Sequence, residues 1–211
     1  MKKLLITSSI IGSLASSVAN AKTEGNYVGL SIIKSDIEAK GNTISGVNFG
    51  NNPFLAQDES QVSVGVNYKY AYNFDGIYIA PGAFFDYTNV STNGQVTNGA
   101  TTTFDVDYRY GLRVDLGYDV TNELATYVHL GAANNSYGNT WSFNGNSSST
   151  SDSETATTYG VGAKYSLTSN LDVNLEYEVS EFDMDMNFVS GIEGKQEFEI
   201  KVLRAGVAFK F

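Results

Sequence analysis

Residues 104–118 read FDVDYRYGLRVDLGY. Every second residue is apolar: Phe104, Val106, Tyr108, Tyr110, Leu112, Val114, Leu116 and Tyr118. Between them stand Asp105, Asp107, Arg109, Gly111, Arg113, Asp115 and Gly117. Side chains of an extended chain alternate between faces, so this pattern predicts a strand with one greasy and one ionic face.

Seven further segments repeat the alternation less strictly. They lie at about 26–39, 61–72, 76–90, 124–131, 159–167, 171–179 and 198–211. In the third of the eight segments, Pro81 lacks a ladder donor, which predicts a bulge or local irregularity. In the last, Phe198, Ile200 and Val202 are out of phase by one with Leu203, Ala205, Val207 and Phe209. That slip predicts either a bulge near Val202 and Leu203 or a segment lying above a membrane. Connections alternate in length. Short turns fall at 73–76, 119–123 and 168–170, and long polar stretches at about 40–60, 91–101, 138–157 and 181–196. The expectation is an all-β fold: an eight-stranded antiparallel up-and-down transmembrane β-barrel.

Volume decides which face points outward. Side chains alone fill the interior of an eight-stranded barrel. The apolar set is bulky and aromatic, while the other is rich in glycine, serine and charge, so only the second fits inside. Energy agrees, because an arginine facing lipid at mid-membrane costs roughly 2–4 kcal/mol. Turning the 104–118 segment over would expose both Arg109 and Arg113.

Composition narrows the class. The chain has 211 residues, no cysteine, 21 glycines, 14 tyrosines, 12 phenylalanines and two prolines, which favours tightly packed strands and leaves no disulfide or thiolate site. Lys2 and Lys3, an apolar run from Leu4 to Ala15, and Ala19-Asn20-Ala21 have the form of an export signal over residues 1–21. The barrel domain is then 22–211. Loss of Lys2 and Lys3 moves the formal charge from -10 to -12. So acidic a chain, without basic clusters, excludes nucleic acid as a partner.

The chain ends Gly206-Val207-Ala208-Phe209-Lys210-Phe211. Gly206, Phe209 and Phe211 resemble the glycine-x-x-apolar-x-aromatic assembly signal of bacterial outer-membrane barrels. With the alternating strands, the mature chain resembles the small eight-stranded OmpA/OmpX-type barrels and the opacity-like surface antigens. The resemblance implies a bacterial outer-membrane location, contact with outer-membrane lipid and lipopolysaccharide, and delivery to the barrel-assembly machinery through the last strand. It implies a monomer and a surface role in which extracellular loops meet a host or matrix ligand. The periplasmic domain of OmpA has no counterpart after Phe211.

Candidate site residues follow from the polar face. Lys69, Asp105, Asp107, Arg109, Arg113, Asp115, His129, Lys164, Glu176, Glu178 and Arg204 form an expected lumen charge network, with Asp172 and Lys210 on the same face. Both signs are present, so ion pairs can fill a narrow bore. Pairing of Arg109 and Arg113 with Glu176 and Glu178 requires their strands to bring them to one height. His129 is the only histidine. No serine follows it at the second position, where Gly131 stands, so a lipid-deacylating centre is not expected. No cofactor and no metal are expected. Asp183 and Asp185 are too few for a calcium site. Trp141 and Phe143, before the serine/threonine-rich stretch 147–158, are candidate loop contacts. The function expected is a non-catalytic, structural surface protein with an adhesion or antigen role. The alternatives are a narrow porin-like channel and a lipid-modifying enzyme.

Overall fold

The computed structural model describes residues 23–44, 47–50, 59–96, 100–143, 145–188 and 192–211. The expected signal at 1–21 lies outside them. Among the described residues nine strands form: β1 (Gly25–Ile44), β2 (Val47–Gly50), β3 (Glu59–Phe74), β4 (Ile77–Val96), β5 (Ala100–Asp119), β6 (Leu124–Phe143), β7 (Asn146–Ser166), β8 (Leu171–Phe188) and β9 (Ile192–Lys210). β1 and β3 to β9 pair antiparallel in chain order, and β1 also pairs with β9. The sheet is therefore a closed eight-stranded barrel. β2 pairs only with the end of β1.

The turn signals act locally. Phe74 and Ile77 face each other across Asp75-Gly76, both at positive φ (57° and 98°). That is the backbone of a two-residue hairpin whose twist matches its strands. Thr23, Phe211 and the other short turns share this lower end of the barrel.

Strands run farther than their alternation suggests. β6 and β7 stay in register from Leu124↔Tyr165 up to Phe143↔Asn146. The long polar stretches at 91–101, 138–157 and 181–196 are thus mostly hairpin strands, not loops. The serine/threonine-rich stretch 147–158 lies within strand β7. Ladder hydrogen bonds hold it, and the β-branched threonines suit a strand.

The face assignment holds around the barrel. Leu112 is 70 % exposed, and Leu30, Ile32, Val64, Leu130, Val161 and Leu175 are exposed beside it. Water would not tolerate so large a continuous apolar surface, but a lipid layer requires one. Tyr87, Tyr108, Tyr110 and Tyr159 line its upper edge, and Tyr68, Tyr72, Tyr118 and Tyr165 its lower edge. Aromatic girdles of this kind mark the two membrane interfaces.

Of the two expected irregularities, the one at Pro81 is a break in the β3–β4 ladder and the one at Val202 and Leu203 is not a bulge. Pro81 pairs with Val114 without a register shift, and the β3–β4 ladder merely skips from Lys69↔Gly82 to Tyr72↔Ile79. There is an interruption but no bulge. The slip at Val202 and Leu203 contains no bulge either, for both the β1–β9 and β8–β9 registers run through it unbroken. Phe198, Ile200 and Val202 continue the inward row of Arg204 and are buried.

Candidate functional site: a three-layer bore

The inward side chains stack in three layers. In the middle layer, β5 and β8 face each other across the bore. Arg113 donates from Nη1 and Nη2 to the two Glu176 oxygens at 2.6 and 2.7 Å. One turn of the pleat higher, Arg109 Nη2 donates to Glu178 at 2.7 Å, while its Nε donates to Asn135 at 3.0 Å. Arg204 on β9 grips both oxygens of Asp86 on β4 at 2.9 Å, and its Nε lies 3.2 Å from Glu176. Lys69 donates to Asp115 at 2.9 Å, and Arg113 Nε lies 3.1 Å from Asp115. Four cations thus meet four carboxylates, and all of these pairs except Arg113–Asp115 link different strands. The forked guanidinium geometry makes these charge-assisted bonds strong and directional.

Tyr127 donates to Glu176 at 3.0 Å, and His129 Nε2 lies 3.3 Å from Glu178. Gly160 makes room for that imidazole, because a Cβ there would meet His129 at 2.6 Å. His129, Glu176 and Glu178 place donor atoms within 4.8 Å of one another. The trio does not fit a metal ion. Arg113 occupies both Glu176 oxygens, Arg109 holds Glu178, and three guanidiniums would repel a divalent charge. A Ser-His-carboxylate relay needs a hydroxyl nucleophile on the imidazole. What lies against the imidazole is instead the Glu178 carboxylate, 3.3 Å from Nε2.

The lower layer holds Tyr27, Tyr78 and Tyr127 among Ala71, Ala80, Ala125 and Ala208. Lys164 pairs with Asp172 at 3.2 Å and sits 5.1 Å from the Tyr27 ring centroid. The upper layer is apolar: Ile33, Ile37, Phe104, Val106, Tyr137, Ala156, Phe182, Phe198, Ile200 and Val202 form one buried cluster. Phe104 and Phe198 stack at 4.8 Å with 9° between rings, and Phe182 stacks on Phe198 at 5.4 Å.

This upper layer corrects two expected lumen residues. Phe104 and Val106 are fully buried, whereas Asp107 is exposed and Asp105 half-buried. The register steps from Val106↔Tyr137 to Tyr108↔Ser136, leaving Asp107 as the extra residue of a bulge. One inserted residue reverses every side chain beyond it. Asp105 and Asp107 therefore leave the network. The mutual repulsion of the pair, added to burial, pushes the Asp105 carboxyl above its ordinary value. Lys69, Arg109, Arg113, Asp115, His129, Lys164, Glu176, Glu178 and Arg204 all face the bore. Lys210 is half-buried at the lower rim.

Sequence reasoning overlooked Asp86 as a partner, although it alternates with Phe85 and Tyr87 on the inward phase. It also missed the aromatic stack, whose signal was the out-of-phase apolar run at 198–202. Trp141 and Phe143 end β6 rather than occupying a loop, and their side chains lie outside the described residues. At the lower rim Phe209 and Phe211 point outward, 54 % and 64 % exposed, while Gly206 faces inward against Asn174.

The sequence profile of the outer membrane protein beta-barrel domain matches residues 6–211. The chain belongs to that family. Its place is the bacterial outer membrane, with the apolar belt in lipid, the short-turn end periplasmic and the long hairpins extracellular. The barrel is similar in fold to the outer membrane protein OprG of Pseudomonas aeruginosa, at 13 % identity, covering 91 % of this chain and 98 % of that one, TM-score 0.59. It is also similar to the outer membrane protein AlkL, at 14 % identity, covering 93 % and 94 %, TM-score 0.50. Ail of Yersinia pestis, solved with the heparin analogue sucrose octasulfate, matches at 14 % identity, covering 89 % and 99 %, TM-score 0.47. No curated protein sequence matches this chain.

Proposed function

We propose that this outer-membrane barrel is a non-catalytic surface protein whose bore is shut and whose extracellular sheet is the working face. The Phe104–Phe198 stack carries this reading. An apolar plug lies on a charge-balanced layer, so an ion entering the bore would have to shed water against phenylalanine and then break paired guanidiniums. A pore has no polar path through that combination. A lipid-modifying centre is disfavoured because His129 is engaged with Glu178 deep in the barrel, away from lipid.

What remains accessible is outside. Residues 145–153 at the head of β7 are exposed on successive positions, so both faces of this ribbon meet solvent. Above Thr157↔Glu181 the β7–β8 ladder ends, and the ribbon stands apart from β8. Its hydroxyl-rich surface suits a polar host or matrix ligand met by hydrogen bonding. The outward Phe209 and Phe211 suit recognition of the last strand by the assembly machinery. Closure of the strand ring through the β1–β9 pairing suits a barrel that works as a monomer.

Planar-bilayer recording tests the closed bore. Silence at 100 mV is expected, and steady ion-selective steps would replace this reading with that of a narrow channel. Deleting residues 139–143 and 146–150 joins Gly138 and Ser151, which pair in the parent, through Asn144-Gly145 and keeps the register. Cells carrying the shortened hairpin are expected to bind host cells or matrix less than parental cells. Equal binding removes the adhesive role.

A further inference from the structure

The chain does not simply enter the wall at β1. Gly25, the first residue of β1, has φ of +110°, a conformation that side-chain-bearing residues rarely adopt. The elbow turns Thr23 inward across the lower mouth. Thr23 is only 2 % exposed. Its amide donates to Asp119 Oδ2 at 3.2 Å and its hydroxyl to Asp119 Oδ1 at 2.5 Å. The same hydroxyl accepts from Lys164 Nζ at 2.8 Å. Asp119 is anchored by Asn73 Nδ2 at 2.8 Å, and Asn73 Oδ1 accepts from the Gly76 amide at the hairpin turn.

The strand order gives this contact its meaning. In the ring β1-β3-β4-β5-β6-β7-β8-β9, β6 lies diametrically opposite β1. Asp119 ends β5 and Lys164 lies on β7, one on each side of β6. Ala125 on β6 pairs in register with both. Thr23 therefore spans the bore and closes over Ala125.

We propose that residues 23–25 are a strap that shuts the periplasmic mouth, with Gly25 as elbow and Asp119 and Lys164 as the catch. Unlike the phenylalanine plug, Thr23 and Glu24 lie outside the strand ladder. Three hydrogen bonds hold the strap, so it is the closure able to open while the barrel stays intact. Opening bares a vestibule lined by Tyr27, Tyr78, Tyr127, Lys164 and Asp172, while the layers above remain closed.

The absence of cysteine makes the test direct. A single cysteine is placed at Ala125→Cys, beneath the strap, or at Ala133→Cys, buried higher on β6. The full chain, purified folded from outer membranes, is labelled with a charged maleimide. Labelling at 125 is expected to be slow in the parent. In the Thr23→Gly/Asp119→Ala background it should rise on the order of tenfold, the mark of a lost local closure. Gly25→Val, which leaves Thr23 and Asp119 in place but strains the elbow, should raise it as well. Labelling at 133 should stay constant throughout, and the heat-dependent gel shift of a folded barrel should persist. An unchanged rate at 125, or parallel acceleration at 125 and 133, overturns the strap. Bilayer conductance is read separately, because strap loss leaves the phenylalanine plug in place. A conducting parent would refute the closed bore without touching the strap.

Discussion

Arg113 and Glu176 meet face to face across the bore, fork to fork, 63 residues apart in the chain. Neither strand neighbours the other, so the pair ties opposite walls of the cylinder. Arg113 is 7 % and Glu176 1 % exposed on their side chains, so water contributes little to either charge. Such a pair is costly to half-remove. Replacing Arg113 by Met strands a carboxylate, although Arg204 and Tyr127 still touch it. The expected loss is about 3 kcal/mol, at the lower end for a broken buried pair. Arg113→Met with Glu176→Gln should recover much of that loss. Urea-dependent unfolding from lipid vesicles measures both, and equal stability of parent and single variant would refute the coupling.

The outward face offers an independent check. Leu112 lies in the middle of the belt at 70 % exposure. Leu112→Arg should cost about 2–4 kcal/mol by the same titration, the charge of arginine in mid-membrane. Leu112→Ala should cost far less than the 2–5 kcal/mol typical of a packed core leucine, because lipid fills the space. A core-like penalty for Leu112→Ala would mean that the faces are reversed.

Phe198 stacks between Phe104 and Phe182 in the upper plug. Phe198→Ala opens a cavity in what behaves as a soluble-type core, and should cost about 3–5 kcal/mol. Bilayers should stay silent, since the ion-pair layer below is untouched. Conduction by this single variant would show that the phenylalanines alone seal the bore.

Gly117 lies against the Tyr78 ring, where an added Cβ would overlap the ring carbons. Tyr78 is fully buried. Gly117→Ala should therefore overpack the lower layer and cost roughly 1–3 kcal/mol. Adding Tyr78→Phe should not restore it, whereas adding Tyr78→Leu should restore part. Urea midpoints of the three proteins decide this.

Asp105 carries the pH prediction, on the extracellular stretch above the tyrosine girdle. Its carboxyl is raised in the folded protein by burial and by Asp107. The folded form thus holds a proton more tightly than the unfolded chain, and ionisation of Asp105 weighs against folding at neutral pH. Asp105→Asn should raise stability at pH 7. The gain should fade as pH falls through the raised value and vanish below the ordinary aspartate range, near 4. A gain of equal size at pH 3 would point to another cause.

Much of the fold was legible because one physical requirement repeats at every second residue. An eight-stranded cylinder in lipid needs bulky apolar groups outside and small or ionic groups inside, and Phe104–Tyr118 already displays both sets. Short turns between successive strands and an even strand count also fitted a closed meander, which the β1–β9 pairing completes. Individual charges such as Arg109, Glu176 and Arg204 could be assigned to the inward face from phase alone.

Height and phase beyond a bulge were not legible. Which guanidinium meets which carboxylate depends on strand stagger, and only the closed barrel sets Arg204 against Asp86 and Arg113 against Glu176. A single extra residue, Asp107, turned the same alternating string over at its upper end, putting Phe104 and Val106 inside and the two aspartates out. The amino-acid order determined that this chain is a lipid-facing cylinder with an ionic bore, because burial energy acts on each strand separately. Which side chains fill that bore, Phe104 and Phe198 above the ion pairs and Thr23 at the lower mouth, was decided only in three dimensions, where side chains far apart in the chain compete for one narrow volume.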